Sequence, residues 1–484
     1  MTPVRARLRL ALLASLSLAS AALASPPPEN QCPMMGGHPD SGVAEDAAPT
    51  ILREGMLLRY DSVLRLRALI PVEVWRNRDV FFFEGMQMTI GPCHRRYPTP
   101  SFFSKATAEF AGRSRVDEDG NLERYVAGLP FPPDSIDPAA ADAGIRWAWN
   151  LQMRYRGAGP VGTFRLLDMP SSVGGVQTFA GSFFYIQTAH RADLFDTDYV
   201  VPEAGDNDFV AGGRFDEPFN ARHLAWRQLR PTRTLEKYNK TDETFVYVPT
   251  MRKVRRAPTA WVDGMYTPRY RIGGDTGGGG MPLGGDGYTF AGTIHPTAAA
   301  SIAQAEHIRQ GFSDLALRPN AYVWRVVDER EVLAPINSAR PGYPLEPNRN
   351  FGPSGLSVAS DRWDVRWAVV IEGLSRERGR AFDKILIYVD YQTQVPLYIM
   401  TKSSDNRLVD VGIPVHRFSG DLFDYPAWPN GEHAYVFDPV AASYYNAAAG
   451  RSGWRRESYD VRSIPVEAGD LRKYLSTDSL LKGR

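Results

Sequence analysis

The chain has 484 residues, of which 43% are hydrophobic and 11% aromatic, so it can bury a large core. A net charge of +1 argues against a nucleic-acid partner, because nucleic-acid-binding domains normally carry a strong excess of basic residues.

The first 24 residues predict a cleaved signal peptide. Three arginines precede an apolar segment at residues 10–21, and small residues at positions 22–24 fit a cleavage site. The mature protein is therefore expected to begin at Ser25 and to be soluble in the periplasm. Acylation is not expected, because the residues before Cys32 lack the small apolar side chains that precede a lipidated cysteine. No other apolar stretch approaches the ~20 residues that a membrane-spanning helix needs.

The sequence after the signal peptide predicts a leader followed by one large domain. Residues 25–53 are rich in proline, glycine and alanine and predict a flexible leader. Residues 54–484 predict a single β domain with a glycine-rich loop at 273–287, although length alone also allows two or three domains. In an oxidising compartment Cys32 and Cys93 could form a structural disulfide; the sequence alone leaves this pairing open.

Short strand-like runs from Glu54 onward predict an antiparallel sheet or barrel. Helical signals are few, and Asp137-Pro138 resembles the start of a helix over Ala139–Trp149. The predicted strands are Val72–Trp75, Val80–Phe83, Gln87–Ile90, Gly162–Leu167, Thr178–Thr188, Arg222–Leu229, Leu235–Tyr238, Thr244–Val248, Ala321–Val327, Arg366–Gly373, Lys384–Asp390, Pro396–Lys402, Gly412–Phe418 and Ala434–Asp438.

The stretch from Leu235 to Pro258 is the most distinctive. Leu235–Tyr238 and Thr244–Val248 flank polar turn residues and predict a β-hairpin, which Pro249 would end because it has no backbone N–H to donate. A basic run follows and predicts either a docking surface for an acidic partner or anionic headgroups, or a plain solvated edge. The run comprises Arg252, Lys253, Arg255 and Arg256.

Common catalytic and metal-binding motifs are missing from the sequence. It contains no Gly-x-Ser-x-Gly elbow, no dinucleotide or phosphate loop, and no His-Glu-x-x-His pattern. Acidic pairs at Asp196/Asp198 and Asp206/Asp208 could act on a sugar, but solvated turns explain them more simply. We predict no catalytic residues, no cofactor and no metal ion.

Several phrases resemble the family known as domain of unknown function 1329. One is Gly-Leu-Pro-Phe-Pro at residues 128–132, followed by Trp149-Asn150 and Arg-Tyr-Arg-Gly at 154–157. Another is the strand pattern over residues 366–402, in which a strand ending in Asp390 is followed by a turn and Pro396-Leu397. This last pattern and the basic hairpin are also similar to the periplasmic lipoprotein carriers LolA and LolB.

The resemblance, which spans about residues 54–484, implies a mostly β fold with a few helices. The sheet would be a curved, antiparallel, half-open barrel that encloses an apolar cavity. Alternation along the strands places the candidate cavity-wall residues on single faces, which could equally form ordinary core. These candidates are Phe245, Tyr247, Trp367, Val369, Ile371, Ile385 and Ile387.

The resemblance also implies carriage of hydrophobic molecules, with transporters of the resistance-nodulation-division type or outer-membrane proteins as partners. We therefore predict a periplasmic carrier or binding protein for lipids or other hydrophobic molecules, and not an enzyme. One alternative is a secreted enzyme acting on glycans or lipids. The other is a non-carrying accessory subunit that docks on a transporter through the basic run.

Overall fold

The structure is a computed structural model. The predicted signal peptide and the glycine-rich loop at 273–287 lie outside the residues it describes, as does part of the predicted leader. The described residues are 25–36, 50–169, 176–249, 252–257, 270–271, 289–290, 317–340, 346, 349–376, 382–447 and 454–481.

Among the described residues the helices are short, and only three of them exceed two turns. In the described ranges no helix combines the length and the apolar character that crossing a membrane requires. The helices are α1 (Tyr60–Val63), α2 (Val72–Arg76), α3 (Arg78–Phe81), α4 (Ser101–Phe110), α5 (Ala143–Met153), α6 (Ala468–Leu475) and α7 (Asp478–Leu481).

Strands make up most of the regular structure. In the first half of the chain they are β1 (Met34–Met35), β2 (Thr50–Ile51), β3 (Leu57–Leu58), β4 (Met88–Cys93), β5 (Arg115–Val116), β6 (Leu122–Glu123), β7 (Val161–Met169), β8 (Gln177–Gln187), β9 (Asn207–Glu217), β10 (Ala225–Pro231) and β11 (Glu243–Val248). In the second half they are β12 (Lys253–Ala257), β13 (Tyr270–Arg271), β14 (Thr289–Phe290), β15 (Tyr322–Ala334), β16 (Arg362–Ser375), β17 (Lys384–Asp390), β18 (Pro396–Lys402), β19 (Leu408–Phe418), β20 (Phe437–Asn446) and β21 (Trp454–Arg462).

One 15-stranded sheet organises the described chain, in the order β12-β11-β10-β9-β8-β7-β21-β20-β19-β18-β17-β16-β4-β3, with β15 paired to β16 beside this path. Its pairs are antiparallel except that of β4 with β16. Strands β7–β12 join the strands after residue 361 where β7 pairs with β21 along its whole length. Strands β3 and β4 join them at the other end, through β16. The predicted mostly β fold, with a few helices and an antiparallel sheet that does not close, is confirmed. The enclosed apolar cavity stays a prediction.

The central strands are buried on both faces. On β16, Val370 packs in a cluster with Val74 of α2, whereas its neighbours Val369 and Ile371 pack on the other side with Trp147 of α5. Successive side chains of a strand point to opposite faces, so a strand covered on both sides has a nearly continuous apolar sequence. This explains the unbroken apolar run within β16.

Two predicted strands are wrong. Val72–Trp75 falls within α2, and Val80–Phe83 overlaps α3. Short apolar runs of this length fit a strand or a buried helical turn equally well, and tertiary packing decides between them. Here Val74 and Phe81 are each at most 1% exposed, so both turns are buried against the sheet.

The predicted hairpin strand Leu235–Tyr238 is also wrong. The partner of β11 is β10, with Arg227 opposite Phe245, and Leu235 instead follows a single 3₁₀ turn. On its other side β11 pairs with β12, so the basic run lies largely within a strand. The intervening turn places Arg252 at φ 49°, and its N–H donates to the carbonyl of Pro249 at 3.1 Å.

The predicted helix over Ala139–Trp149 exists with shifted ends, because α5 begins at Ala143 and continues to Met153. The residues before it form a turn in which Asp137 accepts a 3.0 Å hydrogen bond from the N–H of Ala139. The predicted strand Ala434–Asp438 is displaced in the same direction, since β20 begins only at Phe437.

A disulfide joins Cys32 to Cys93, with their Cα atoms 5.2 Å apart. Next to it, the N–H of Asn30 donates to the carbonyl of Cys93 at 2.8 Å. The segment around Cys32 is therefore fastened to the end of β4.

Candidate functional site

An apolar cleft of about 340 Å³ lies where β8 ends and α6 begins. This volume is within the range of small-molecule sites in proteins, roughly 300–1,000 Å³. Its lining comes from four separate parts of the chain: α4, the segment from β8 to residue 203, the turn at 428–430, and residues 465–471.

One side of the cleft is aromatic. Phe102 on α4 and Trp428 lie with their ring centroids 5.4 Å apart, and Tyr155 packs behind them, 5.9 Å from Phe102. The turn that carries Trp428 is tied to the start of α4, because the Glu432 carboxylate accepts a 2.8 Å hydrogen bond from the Ser101 hydroxyl. The two aromatic side chains are therefore held together by a polar contact outside the cleft.

The opposite side is aliphatic. Ile186 on β8 is 1% exposed, and Val466 and Leu471 pack against the same small cluster from α6 and the residues before it. The ring centroids of Phe184 and of Tyr474 on α6 lie 4.5 Å apart. The packing of α6 against β8 therefore extends beyond the cleft. Helix α6 thus forms one wall.

Arg227 on β10 anchors α6. Its side chain donates to the carbonyls of Lys473 (3.0 Å), Tyr474 and Ser476 (2.7 Å), and to the hydroxyl of Ser479 (3.2 Å). It forms no ion pair with any described residue, and burial lowers its pKa to about 10. The negative end of the helix dipole compensates part of its charge.

The polar groups of the cleft differ in how they are paired. Arg191 donates to both oxygens of Asp193 at 3.0 and 2.5 Å, and their side chains are 7% and 11% exposed. Such two-point pairs satisfy both charges within the protein. Glu203, in the 3₁₀ turn Pro202–Ala204, is exposed and has no ion-pair partner among the described residues.

The predicted cavity-wall residues lie elsewhere. Four of them are at most 3% exposed and pack together under α5, whereas Trp367 is 9% exposed. The other two, Phe245 and Tyr247, are half-buried on the face of β11 opposite to Val246. None of the seven lines the cleft, and their role as a cavity wall stays a prediction. The four packed residues are Val369, Ile371, Ile385 and Ile387.

The basic run is exposed. Exposure is expected for a docking surface and also for a solvated edge. Arg252, Lys253, Arg255 and Arg256 are all exposed, and Arg256 pairs with Glu243 on the neighbouring strand at 2.9 Å. Within the described residues β12 ends the sheet. Docking through this run stays a prediction.

The acidic pairs do not assemble into a carboxylate site. Asp206 is exposed, whereas Asp208 is 3% exposed and burial raises its pKa. Asp196 and Asp198 are both exposed. Across the described ranges no cluster of three or more His, Cys, Asp or Glu residues is placed to hold a metal ion.

Sequence reasoning did not find the cleft. Its lining residues are separated by up to several hundred positions, from Phe102 to Leu471, and no local motif links them. The one local signal is the apolar spacing of Val466 and Leu471 around the start of α6, which an amphipathic helix explains equally well.

The protein is therefore mostly β, with an open sheet and an apolar cleft of a size that suits a small molecule. The family model described as "Protein of unknown function (DUF1329)" matches residues 81–270, so the predicted resemblance is confirmed over that range. No curated protein matches the chain at a significant level.

Similar solved structures include a DUF1329 family protein and a LolA superfamily protein. A DUF1329 family protein from Desulfovibrio piger is 12% identical with a TM-score of 0.38, and the match covers 71% of this chain and 99% of that one. A LolA superfamily protein from Nitrosomonas europaea is 11% identical with a TM-score of 0.33, covering 68% of this chain and 94% of the other.

Proposed function

We propose that the protein is a periplasmic carrier or binding protein for a lipid or another hydrophobic molecule, working with an envelope transport system. The observation that carries this proposal is the cleft, whose sides are formed by Phe102, Trp428, Ile186, Val466 and Leu471. The periplasmic location rests on the N-terminal sequence, with its basic, apolar and small-residue segments.

The size of the cleft suits reversible binding. Each CH₂ group removed from water contributes about 0.8 kcal/mol, and the loss of motional freedom on binding offsets part of that gain. A cleft of about 340 Å³ covers part of an acyl chain and not a whole lipid. Cargo held in this way can be released again, as a carrier requires.

Two measurements test the proposal. Mass spectrometry of an organic extract of natively purified protein should detect a bound hydrophobic molecule. In addition, the uncharged fluorescent probe N-phenyl-1-naphthylamine should bind the delipidated protein, and Leu471→Gln should weaken that binding about tenfold. Leu481→Gln is the matched control, because Leu481 is 54% exposed and lies outside the cleft. A clean extract together with no probe binding by the parent protein would contradict the proposal.

An accessory role through docking is the second candidate, and the exposure of all four basic side chains on and beside β12 is compatible with it. The acidic pairs do not support an enzyme that acts on glycans, because Asp206 is exposed whereas Asp208 is buried.

A further inference from the structure

We propose that the cleft prefers hydrophobic molecules with a positively charged end, and that Glu203 recognises this charge. The inference rests on the proposed function and names the chemical class of the cargo, which is a cationic amphiphile. Its apolar body would lie between the aromatic and aliphatic sides of the cleft, and its ammonium or guanidinium group would lie at the mouth.

Among the described residues that line the cleft, no unpaired cation is available to an anionic headgroup. The one cation among them, Arg191, has two of its nitrogens hydrogen-bonded to Asp193, and its third reaches only the carbonyl of Gln187 at 3.5 Å. An anion that took over these two hydrogen bonds would have to displace Asp193, whose side chain is 11% exposed and would lose its partner. The pair therefore makes the cleft neutral inside.

The mouth of the cleft carries an unpaired negative charge. Glu203 lines the cleft and is exposed, so its carboxylate meets solvent. It follows Pro202 in a 3₁₀ turn, next to Val201, which is 5% exposed. Among the described residues no arginine or lysine pairs with Glu203. On α6, which lines the same cleft, Lys473 pairs with Asp470.

Two of the neighbouring segments carry further exposed carboxylates. Asp196 and Asp198 are exposed in the loop that brings Phe195 to the cleft, and Glu467 is exposed beside Val466. Phe195 is itself 64% exposed, so the loop shows an apolar ring beside two carboxylates. A ligand that is apolar along its length and cationic at its end matches both features.

The test compares three ligands that share the same dodecyl chain. Their headgroups are positively charged, neutral and negatively charged. Dodecylammonium, dodecanol and dodecanoate would each displace N-phenyl-1-naphthylamine from the protein at pH 7, at low salt and below their micellar concentrations. We expect dodecylammonium to bind about fivefold more tightly than dodecanol, and dodecanoate to bind more weakly than dodecanol. The fivefold preference should shrink in 0.5 M NaCl, because exposed charges are screened.

Glu203→Gln should remove the preference for dodecylammonium while the affinity for dodecanol stays unchanged. Glu84→Gln, an exposed carboxylate outside the cleft, is the matched control and should change neither. Equal binding of all three ligands, or a preference that survives Glu203→Gln, would overturn the inference and leave the carrier proposal standing. Failure of the parent protein to bind the probe and all three ligands would overturn both.

Discussion

Asp364 is a buried acid at the irregular point where β4 and β16 pair in parallel. Burial raises its pKa to about 6, while the hydrogen bond donated by the Tyr97 hydroxyl at 2.5 Å and the nearby charge of Arg362 act in the opposite direction. Gly91 makes room for it, since a Cβ there would lie 1.9 Å from its Oδ1. The folded state therefore holds this proton more tightly than a free aspartic acid does.

This raised pKa predicts a pH dependence of stability. A group that binds its proton more tightly in the folded state stabilises the fold at low pH, and this contribution is lost as the pH rises through about 6. Between pH 7.5 and pH 5 the parent should gain about 1.4 kcal/mol of unfolding free energy relative to Asp364→Asn. Urea unfolding of both proteins at the two pH values measures it. A parent-to-variant difference that is equal at both pH values would contradict the assignment.

Substitutions of Ile387 and Phe245 test whether these residues form a cavity wall. Ile387 is 2% exposed under α5, whereas Phe245 is half-buried on an outer face of β11. We expect Ile387→Asp to cost at least about 3 kcal/mol, because it buries a charge among apolar groups, and Phe245→Asp to cost far less. Thermal unfolding gives both values. If Ile387→Asp stayed folded but lost probe binding, Ile387 would face a cavity after all.

At the scale of elements, the attachment of α6 to the sheet shapes the cleft. Arg227→Met keeps an unbranched side chain and removes the donors to three carbonyls at the end of the helix. We expect faster amide hydrogen exchange in α6 and weaker probe binding, because Leu471 would no longer be held in place. Arg472→Met, an exposed position on the same helix, should change neither. Unchanged exchange in Arg227→Met would show that packing alone holds α6.

Strand β12 carries a prediction about docking. Reversing Lys253 and Arg255 to glutamate should change the unfolding free energy by only about 0.5 kcal/mol, because both side chains are exposed. If the run docks on anionic surfaces, the double variant should bind phosphatidylglycerol vesicles at least about tenfold more weakly at low salt. Reversal of Lys237 and Lys240, exposed outside the run, is the control. Equal vesicle binding by all three proteins would identify a solvated edge.

At the scale of the whole molecule, the sheet brings distant segments together. The pairing of β7 with β21 joins strands β7–β12 to the C-terminal end of the chain. The cleft lies near this junction, because residues 465–471 follow β21 directly and β8 is the next strand beyond β7. A site of this kind depends on the complete sheet, and no single segment contains it.

Much of the fold follows from local sequence. Lys384–Asp390 and Pro396–Lys402 are strands with the predicted ends, because β-branched and aromatic residues there are bounded by turn residues and the strands are buried on both faces. The mostly β class and the resemblance over residues 81–270 were likewise readable from the sequence.

Tertiary structure decided the rest. The runs at Val72–Trp75 and Val80–Phe83 became helices because an apolar run of four residues satisfies either geometry until its neighbours are known. The partner of β11 is β10 and not Leu235–Tyr238, because strand pairing depends on which backbones meet in space. The cleft could not be foreseen for the same reason: apolar residues from Phe102 to Leu471 line it, and only the folded sheet places side chains so far apart in sequence around one space.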